Sequence, residues 1–190
     1  VTFTAPSGGT VGGGTRPSIE VQGSIVETNL RSWTLRFGAG TDPQSWTDIA
    51  TGATTPSSTL LAAWQVGGLA DGQYLLSLLA TDKAGSTGEV RLAVDVDNSP
   101  PTASITQPAE GTRIHGPTDL LGEIADTHFV SALLELSQGD AASAFQYAPL
   151  TTLSSPGAGG TLFTLRSLPT DGTYTLRLTV EDEVGLRTVV

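Results

Sequence analysis

The sequence predicts an all-β chain made of two tandem antiparallel β-sandwiches, and three observations carry that prediction. The first is an internal repeat about 100 residues long: Asp71-Gly72-Gln73-Tyr74 returns as Asp171-Gly172-Thr173-Tyr174. Each copy then alternates apolar residues up to an acidic turn, Thr81-Asp82-Lys83-Ala84-Gly85 in one and Glu181-Asp182-Glu183-Val184-Gly185 in the other. A repeat of domain length means two copies of one module. The second is period-2 patterning broken by turn signals, with no segment sustaining a helical period. The third is composition: 23 Gly and 11 Pro in 190 residues favour many turns and short strands over long helices.

The first copy opens with Val1-Thr2-Phe3-Thr4-Ala5-Pro6 and a glycine-rich turn through Gly8, Gly9, Gly12, Gly13 and Gly14. Ile19, Val21 and Ile25 then mark one face of a strand, with Gly23 between them. Trp33, Leu35 and Phe37 mark the next, on a 2-residue spacing that puts them on one side. Gly-, Asp- and Pro-rich sequence around Trp46 and Ile49 reads as loop. Trp64 and Val66 lead to Leu69. Tyr74, Leu76, Leu78 and Ala80 form the most regular stretch, and Val90, Leu92, Val94 and Val96 alternate with Glu89, Arg91, Ala93, Asp95 and Asp97 in the last strand.

The second copy matches at an offset of about 100. Pro6 aligns with Pro108 and Thr10 with Thr112. Val21, Gly23 and Ile25 align with Leu120, Gly122 and Ile124, and Leu35 and Phe37 with Leu134 and Leu136. Trp64, Val66 and Leu69 align with Phe163, Leu165 and Leu168, and Trp46 with Phe145. Apolar positions keep their type while polar ones drift, as expected where the shared positions build a core. The boundary is Asp97-Asn98-Ser99-Pro100-Pro101, so the domains are 1–99 and 100–190. Two prolines cannot donate ladder hydrogen bonds and hold the backbone extended, which predicts a stiff junction.

Formal charge is −10, shared as 9 acidic and 5 basic residues over 1–99 and 10 and 4 over 100–190. An acidic chain without a basic stripe repels phosphate backbones and anionic membrane surfaces, which argues against nucleic-acid binding and membrane association. Cysteine is absent, which removes disulfides, thiolate catalysis and cysteine-ligated metals. Methionine is absent even at position 1, and both ends read as strand. That predicts a segment of a longer protein, with no signal peptide or membrane span in this stretch.

Leu69-Ala70-Asp71-Gly72-Gln73-Tyr74-Leu75-Leu76 resembles the tyrosine corner of immunoglobulin-like and fibronectin type III-like sandwiches, where the Tyr hydroxyl bonds back to nearby backbone. Leu76 and Leu176 stand where antibody domains carry their second cysteine. Trp33 resembles the core tryptophan of the third strand, with Ala132 at its place in copy two. Together with the Asp82-Lys83-Ala84-Gly85 turn and the Val94–Pro101 junction, these residues make the chain similar to bacterial immunoglobulin-like repeats of surface, adhesion and secreted proteins. The resemblance implies two tandem immunoglobulin-like antiparallel β-sandwiches. It further implies a non-catalytic structural or adhesive spacer of a larger bacterial secreted or cell-surface protein, located outside the cell. The alternatives are a protein- or glycan-binding module, or the accessory region of a secreted hydrolase or toxin. The partners implied are neighbouring domains or another protein, with a glycan as an alternative ligand.

No catalytic, cofactor-binding or metal residue is assigned. His115 and His128 occur only in copy two, and no Gly-x-Ser-x-Gly elbow, His-Glu-x-x-His helix or phosphate loop is present. Asp95 and Asp97 project from one side of a strand beside Asn98, and calcium favours such oxygen ligands. Asp97-Asn98-Ser99-Pro100 resembles the cadherin linker, with Glu110 as a further candidate, but the extra Asn and Asp and the paired Asp-x-Glu of that linker have no place here. A solvated strand end leading into a turn accounts for the same residues. A sugar platform would need exposed aromatics, whereas Trp33, Trp46 and Trp64 read as core or rim residues. Leu75 and Leu79 alternate with core positions and so face outward with Ala93, where copy two has Thr175 and Thr179. That difference suggests a small apolar interface, to be weighed against ordinary isolated surface leucines. A Lys–Asn crosslink has no suitable lysine, since Lys83 sits in a turn.

Overall fold

The computed structural model describes residues 1–12, 17–56, 59–141, 146–167 and 170–190. Gly13, Gly14, Phe145 and Leu168, placed above in a turn or aligned with copy-one residues, lie outside the described residues. The chain divides into two compact units, Val1–Ser99 and Pro100–Val190. Every regular element described is a strand.

Unit 1 contains β1 (Thr2–Ala5), β2 (Thr10–Gly12), β3 (Ser18–Ser24), β4 (Leu30–Ala39), β5 (Thr47–Gly52), β6 (Leu60–Gln65), β7 (Gly72–Asp82) and β8 (Thr87–Asp97). They form a three-stranded sheet in the order β1-β3-β6 and a five-stranded sheet in the order β2-β8-β7-β4-β5. The core lies between the two. Val21 and Trp64 come from the smaller sheet, and Trp33, Leu35, Leu76, Leu78, Val94 and Val96 from the larger. Alternation puts one face of each strand inward, and each fully buried aliphatic side chain contributes about 1.5–3 kcal/mol. Phe37, Trp64 and Tyr74 pack as an aromatic trio with ring centroids 5.2–6.1 Å apart.

Unit 2 contains β9 (Thr102–Gln107), β10 (Thr118–Ala125), β11 (Phe129–Gln138), β12 (Ala148–Leu153), β13 (Gly157–Leu165), β14 (Tyr174–Asp182) and β15 (Arg187–Val189). Its sheets run β13-β10-β9 and β12-β11-β14-β15. This is the order of unit 1 without a counterpart of β2 among the described residues. Leu120, Ile124, Leu162 and Leu165 face Ala132, Leu134, Leu178 and Val180 across the core. Gly23 and Gly122 hold equivalent places: a Cβ on either would run into a backbone oxygen of the first strand (Thr2, Ser104) and a leucine (Leu61, Leu162). Only glycine lets the strands approach this closely. The Ala5–Pro6 and Gln107–Pro108 peptide bonds, also equivalent, are both cis.

Three expectations change. Thr10–Gly12, read as part of a glycine-rich turn, forms β2 and pairs parallel with β8 (Thr10↔Asp95, Val11↔Val96, Gly12↔Asp97), so the larger sheet is not wholly antiparallel. A three-residue strand is too short to show a period. The stretch after Trp46, read as loop, is β5, paired with β4 (Leu35↔Ala50). Finally, Trp64 does not correspond to Phe163. Trp64 pairs with Ile19 and Ala62 with Val21, whereas Leu165 pairs with Thr118 and Phe163 with Leu120. The true counterpart of Trp64 is therefore Leu165. A slip of two residues keeps every side chain on its own face, so the hydrophobic pattern cannot detect it.

Candidate functional site

The motif that repeats most faithfully is structural. Tyr74 donates its hydroxyl proton to the Ala70 carbonyl (3.0 Å), and Tyr174 does the same to Thr170 (2.9 Å). Each phenol pins the loop that brings the chain across to the second sheet. The acidic turns follow one plan as well. In unit 1 the Ser86 N–H donates to Asp82 Oδ1 (2.8 Å). In unit 2 the Val184 and Leu186 N–H groups both donate to Asp182 Oδ1 (2.9 Å each). Gly85 (φ 93°) and Gly185 (φ 84°) take the left-handed conformation that closes each hairpin. These carboxylates organise backbone.

The junction residues are engaged inside unit 1. The Asn98 side-chain amide donates to the carbonyls of Val66 (2.9 Å) and Leu69 (3.0 Å), and its N–H donates to Asp71 Oδ1 (2.7 Å). Asn98 thus fastens the end of β8 to the tyrosine-corner loop, with Asp71 accepting its N–H. Asp97 is buried and accepts from the Ser99 N–H (3.2 Å). Asp95 pairs with Thr10 of β2, and its N–H donates to the Gly9 carbonyl. Glu110 is exposed in the turn after β9.

The outer face of the five-stranded sheet holds a dense polar cluster. Arg36 on β4, Ser77 on β7 and Arg91 on β8 lie side by side in one cross-strand row. Glu89 joins them. It accepts from the Ser77 hydroxyl (2.7 Å) and pairs with Arg36 (3.2 Å) and Arg91 (3.1 Å). Arg36 also donates to the Ser77 hydroxyl oxygen (3.2 Å). The Trp46 ring lies over both guanidiniums, 4.6 Å from Arg36 and 5.4 Å from Arg91. The Ser77 hydroxyl, and after it Arg91 and Arg36, hold the Glu89 carboxyl below its ordinary value against the opposing pull of partial burial.

This cluster decides between readings that the sequence left open. Of the core and rim readings of Trp46, the rim one holds: the ring is half-buried on the outer face. Leu75 and Leu79 do flank this face and are half-buried, but fully buried Ser77 separates them, so they form no continuous apolar patch. Leu75 lies across from Gly38 and Ala93, and Leu79 across from Thr34 and Glu89. Cross-strand neighbours set this arrangement, and they are 41 and 12 residues from Ser77 in the chain.

Unit 2 repeats the theme with other residues. Glu135 on β11 and Arg177 on β14 occupy the row of Arg36 and Ser77 and form an ion pair at 2.8 Å. The Tyr147 ring lies 3.7 Å from the Arg177 guanidinium, just before β12 as Trp46 lies just before β5. The Glu135 hydrogen bond raises the Arg177 pKa further above its ordinary value, so this side chain remains a cation. Tyr147 is an outer-face residue that the sequence reading missed. The signal was available as an aromatic preceding the strand in both copies.

His115 is exposed in the loop before β10. His128 closes a turn through its backbone, its N–H donating to Asp126 Oδ1 (2.6 Å) and its carbonyl accepting from the Glu183 N–H (2.9 Å). Trp33 is buried in the core as expected, and its indole N–H donates to the Thr54 carbonyl (3.0 Å). Among the described residues, no helix is long and apolar enough to cross a membrane.

No family model and no curated protein matches the chain. Among solved structures it is similar to a tetra-tandem repeat in the extending region of a large adhesion protein, with 16% identity and a TM-score of 0.36, covering 92% of this chain and 44% of that one. It is also similar to dimeric latent PorU from Porphyromonas gingivalis, with 12% identity and a TM-score of 0.33, covering 99% of this chain and 19% of that one. The chain therefore spans under half the length of the first and about a fifth of the second.

Proposed function

We propose that the chain is a non-catalytic structural or adhesive spacer of a larger bacterial secreted or cell-surface protein, made of two immunoglobulin-like (fibronectin type III-like) modules and located outside the cell. The carrying observation is that the repeated polar residues are spent on backbone. The two corner tyrosines, Asp82 and Asp182 all hold turns, and Asn98 of unit 1 holds a strand end. A spacer needs such fastening, because load enters a module at its strand ends. The shared sheet order of both units, three strands against a sheet whose strand after the tyrosine corner lies between its hairpin partner and the preceding strand, supports the immunoglobulin-like reading. Pulling the chain from its two ends in a force spectrometer tests this. Two separate unfolding events are expected, and Asn98→Ala lowers the force of one. A single event, or no effect of the variant, overturns the reading.

A second reading, a protein- or glycan-binding module, is favoured by one feature: Trp46 lies on the outer face above two arginines. If it holds, Trp46→Ala abolishes binding on a glycan array while Tyr147→Ala does not. An array without signal for the unaltered chain removes the glycan alternative.

A further inference from the structure

The two outer-face clusters differ in charge balance. In unit 2, Arg177 is matched one to one by Glu135, beneath the Tyr147 ring. In unit 1, two guanidiniums share the single Glu89 carboxylate. Asp48 lies across from Arg36, at the far end of the row from Arg91. The unmatched positive charge therefore falls on Arg91, whose side chain is 48% exposed. Arg91 meets Glu89 through Nε, and among the described residues its terminal amino groups have no hydrogen bond. Such a pair of donors fits a carboxylate, which accepts two parallel bonds.

The indole beside this guanidinium is held in place. The loop that carries Trp46 rests on Gly38, where a Cβ would run into Pro43 and the Ser45 carbonyl oxygen. Glycine is what lets the loop settle on the sheet. Gly38 shares the next cross-strand row with half-buried Leu75 and exposed Ala93. A fixed ring, a small apolar shelf and an open guanidinium fork thus share one face.

We propose that this face binds an acidic sugar, a uronate residue of a glycan, with the pyranose against Trp46 and the carboxylate on Arg91; this rests on the glycan-binding reading of Trp46 given above. The ligand carries the same two chemistries side by side. A pyranose offers a flat C–H face to an aromatic ring, and a uronate holds its carboxylate at the rim of that ring. The single open positive charge selects one anionic group, while the charge-matched cluster of unit 2 selects none.

The test is titration of the full chain with a galacturonate trimer and with its methyl ester, which keeps the rings and removes the charge. Salt at about 0.15 M screens the chain's acidic groups beyond about 8 Å. The free acid is expected to bind about 10-fold tighter than the ester or better. Arg91→Gln brings the acid down to the level of the ester, Arg91→Lys keeps part of the preference, and Trp46→Ala abolishes binding of both. Equal binding of acid and ester, or no effect of Arg91→Gln, overturns the acidic preference and leaves the glycan reading standing. Binding of neither removes both. A polyglutamate peptide that binds as tightly as the acid and is indifferent to Trp46→Ala also overturns the proposal, because charge alone then accounts for the site.

Discussion

Unit 1 packs three aromatic rings together, buried Trp64 and Tyr74 with half-buried Phe37 against them, where unit 2 has Leu165, the half-buried Tyr174 and Leu136. On the outer faces, unit 1 joins Arg36, Arg91 and Glu89 around Ser77 beneath Trp46, and unit 2 pairs Glu135 with Arg177 beneath Tyr147. Yet the tyrosine corner and the aspartate-capped hairpin are the same in both. The lesson is a division of tolerance. Core filling accepts any apolar set of suitable volume, and the outer row accepts either order of charge if each ion finds its counterpart. Side-chain bonds to backbone have no such substitutes, because a turn's N–H or C=O has a fixed position.

The comparison can be broken most strongly at the core. Trp64→Ala removes a ring that is 1% exposed and is expected to cost unit 1 about 3–5 kcal/mol. Leu165→Ala should cost unit 2 about 2–5 kcal/mol. Denaturant melts followed by unit-specific NMR signals will show one transition moving and the other staying. Trp64→Phe sharpens the point. Among the described residues the Trp64 indole N–H has no partner, so exchanging it for a plain ring costs far less than truncation. Equal losses for the two variants would mean that the ring packing of the trio contributes nothing beyond the indole itself.

The next effect is at Asn98. Removing its amide in Asn98→Ala leaves the Val66 and Leu69 carbonyls without this donor, a loss of about 1–3 kcal/mol in unit 1. Tyr74→Phe and Tyr174→Phe compare the two corners directly. Each removes one hydrogen bond worth about 0.5–1.5 kcal/mol, and the buried Tyr74 should cost more than the half-buried Tyr174. Equal costs would show that the corner's strength does not depend on its burial.

The smallest effect is electrostatic and belongs to unit 1. The folded Glu89 carboxyl titrates below its ordinary value of 4.5. The stability it confers is therefore complete above the unfolded value and is lost as pH falls through the depressed folded one. With its side chain 28% exposed, the contribution is about 0.5–1 kcal/mol. Glu89→Gln should flatten this part of the acid limb of unit 1 and remove the accompanying change in Trp46 fluorescence. An unaltered acid profile would count against the cluster as a coupled unit.

The two-copy plan, the corner tyrosines, the hairpin turns and the inward face of most strands were legible in the residues alone. Those features are local, or repeat with the period of the backbone, and so are written in neighbouring residues. That Trp64 corresponds to Leu165, that Thr10–Gly12 lies parallel to β8, and that Ser77 is buried beneath a Trp46–arginine stack emerges from strand pairing. Alternation repeats every two residues and is blind to a two-residue slip. Which side chains meet across a sheet depends on strands that are distant in sequence, and pairing register brings them together.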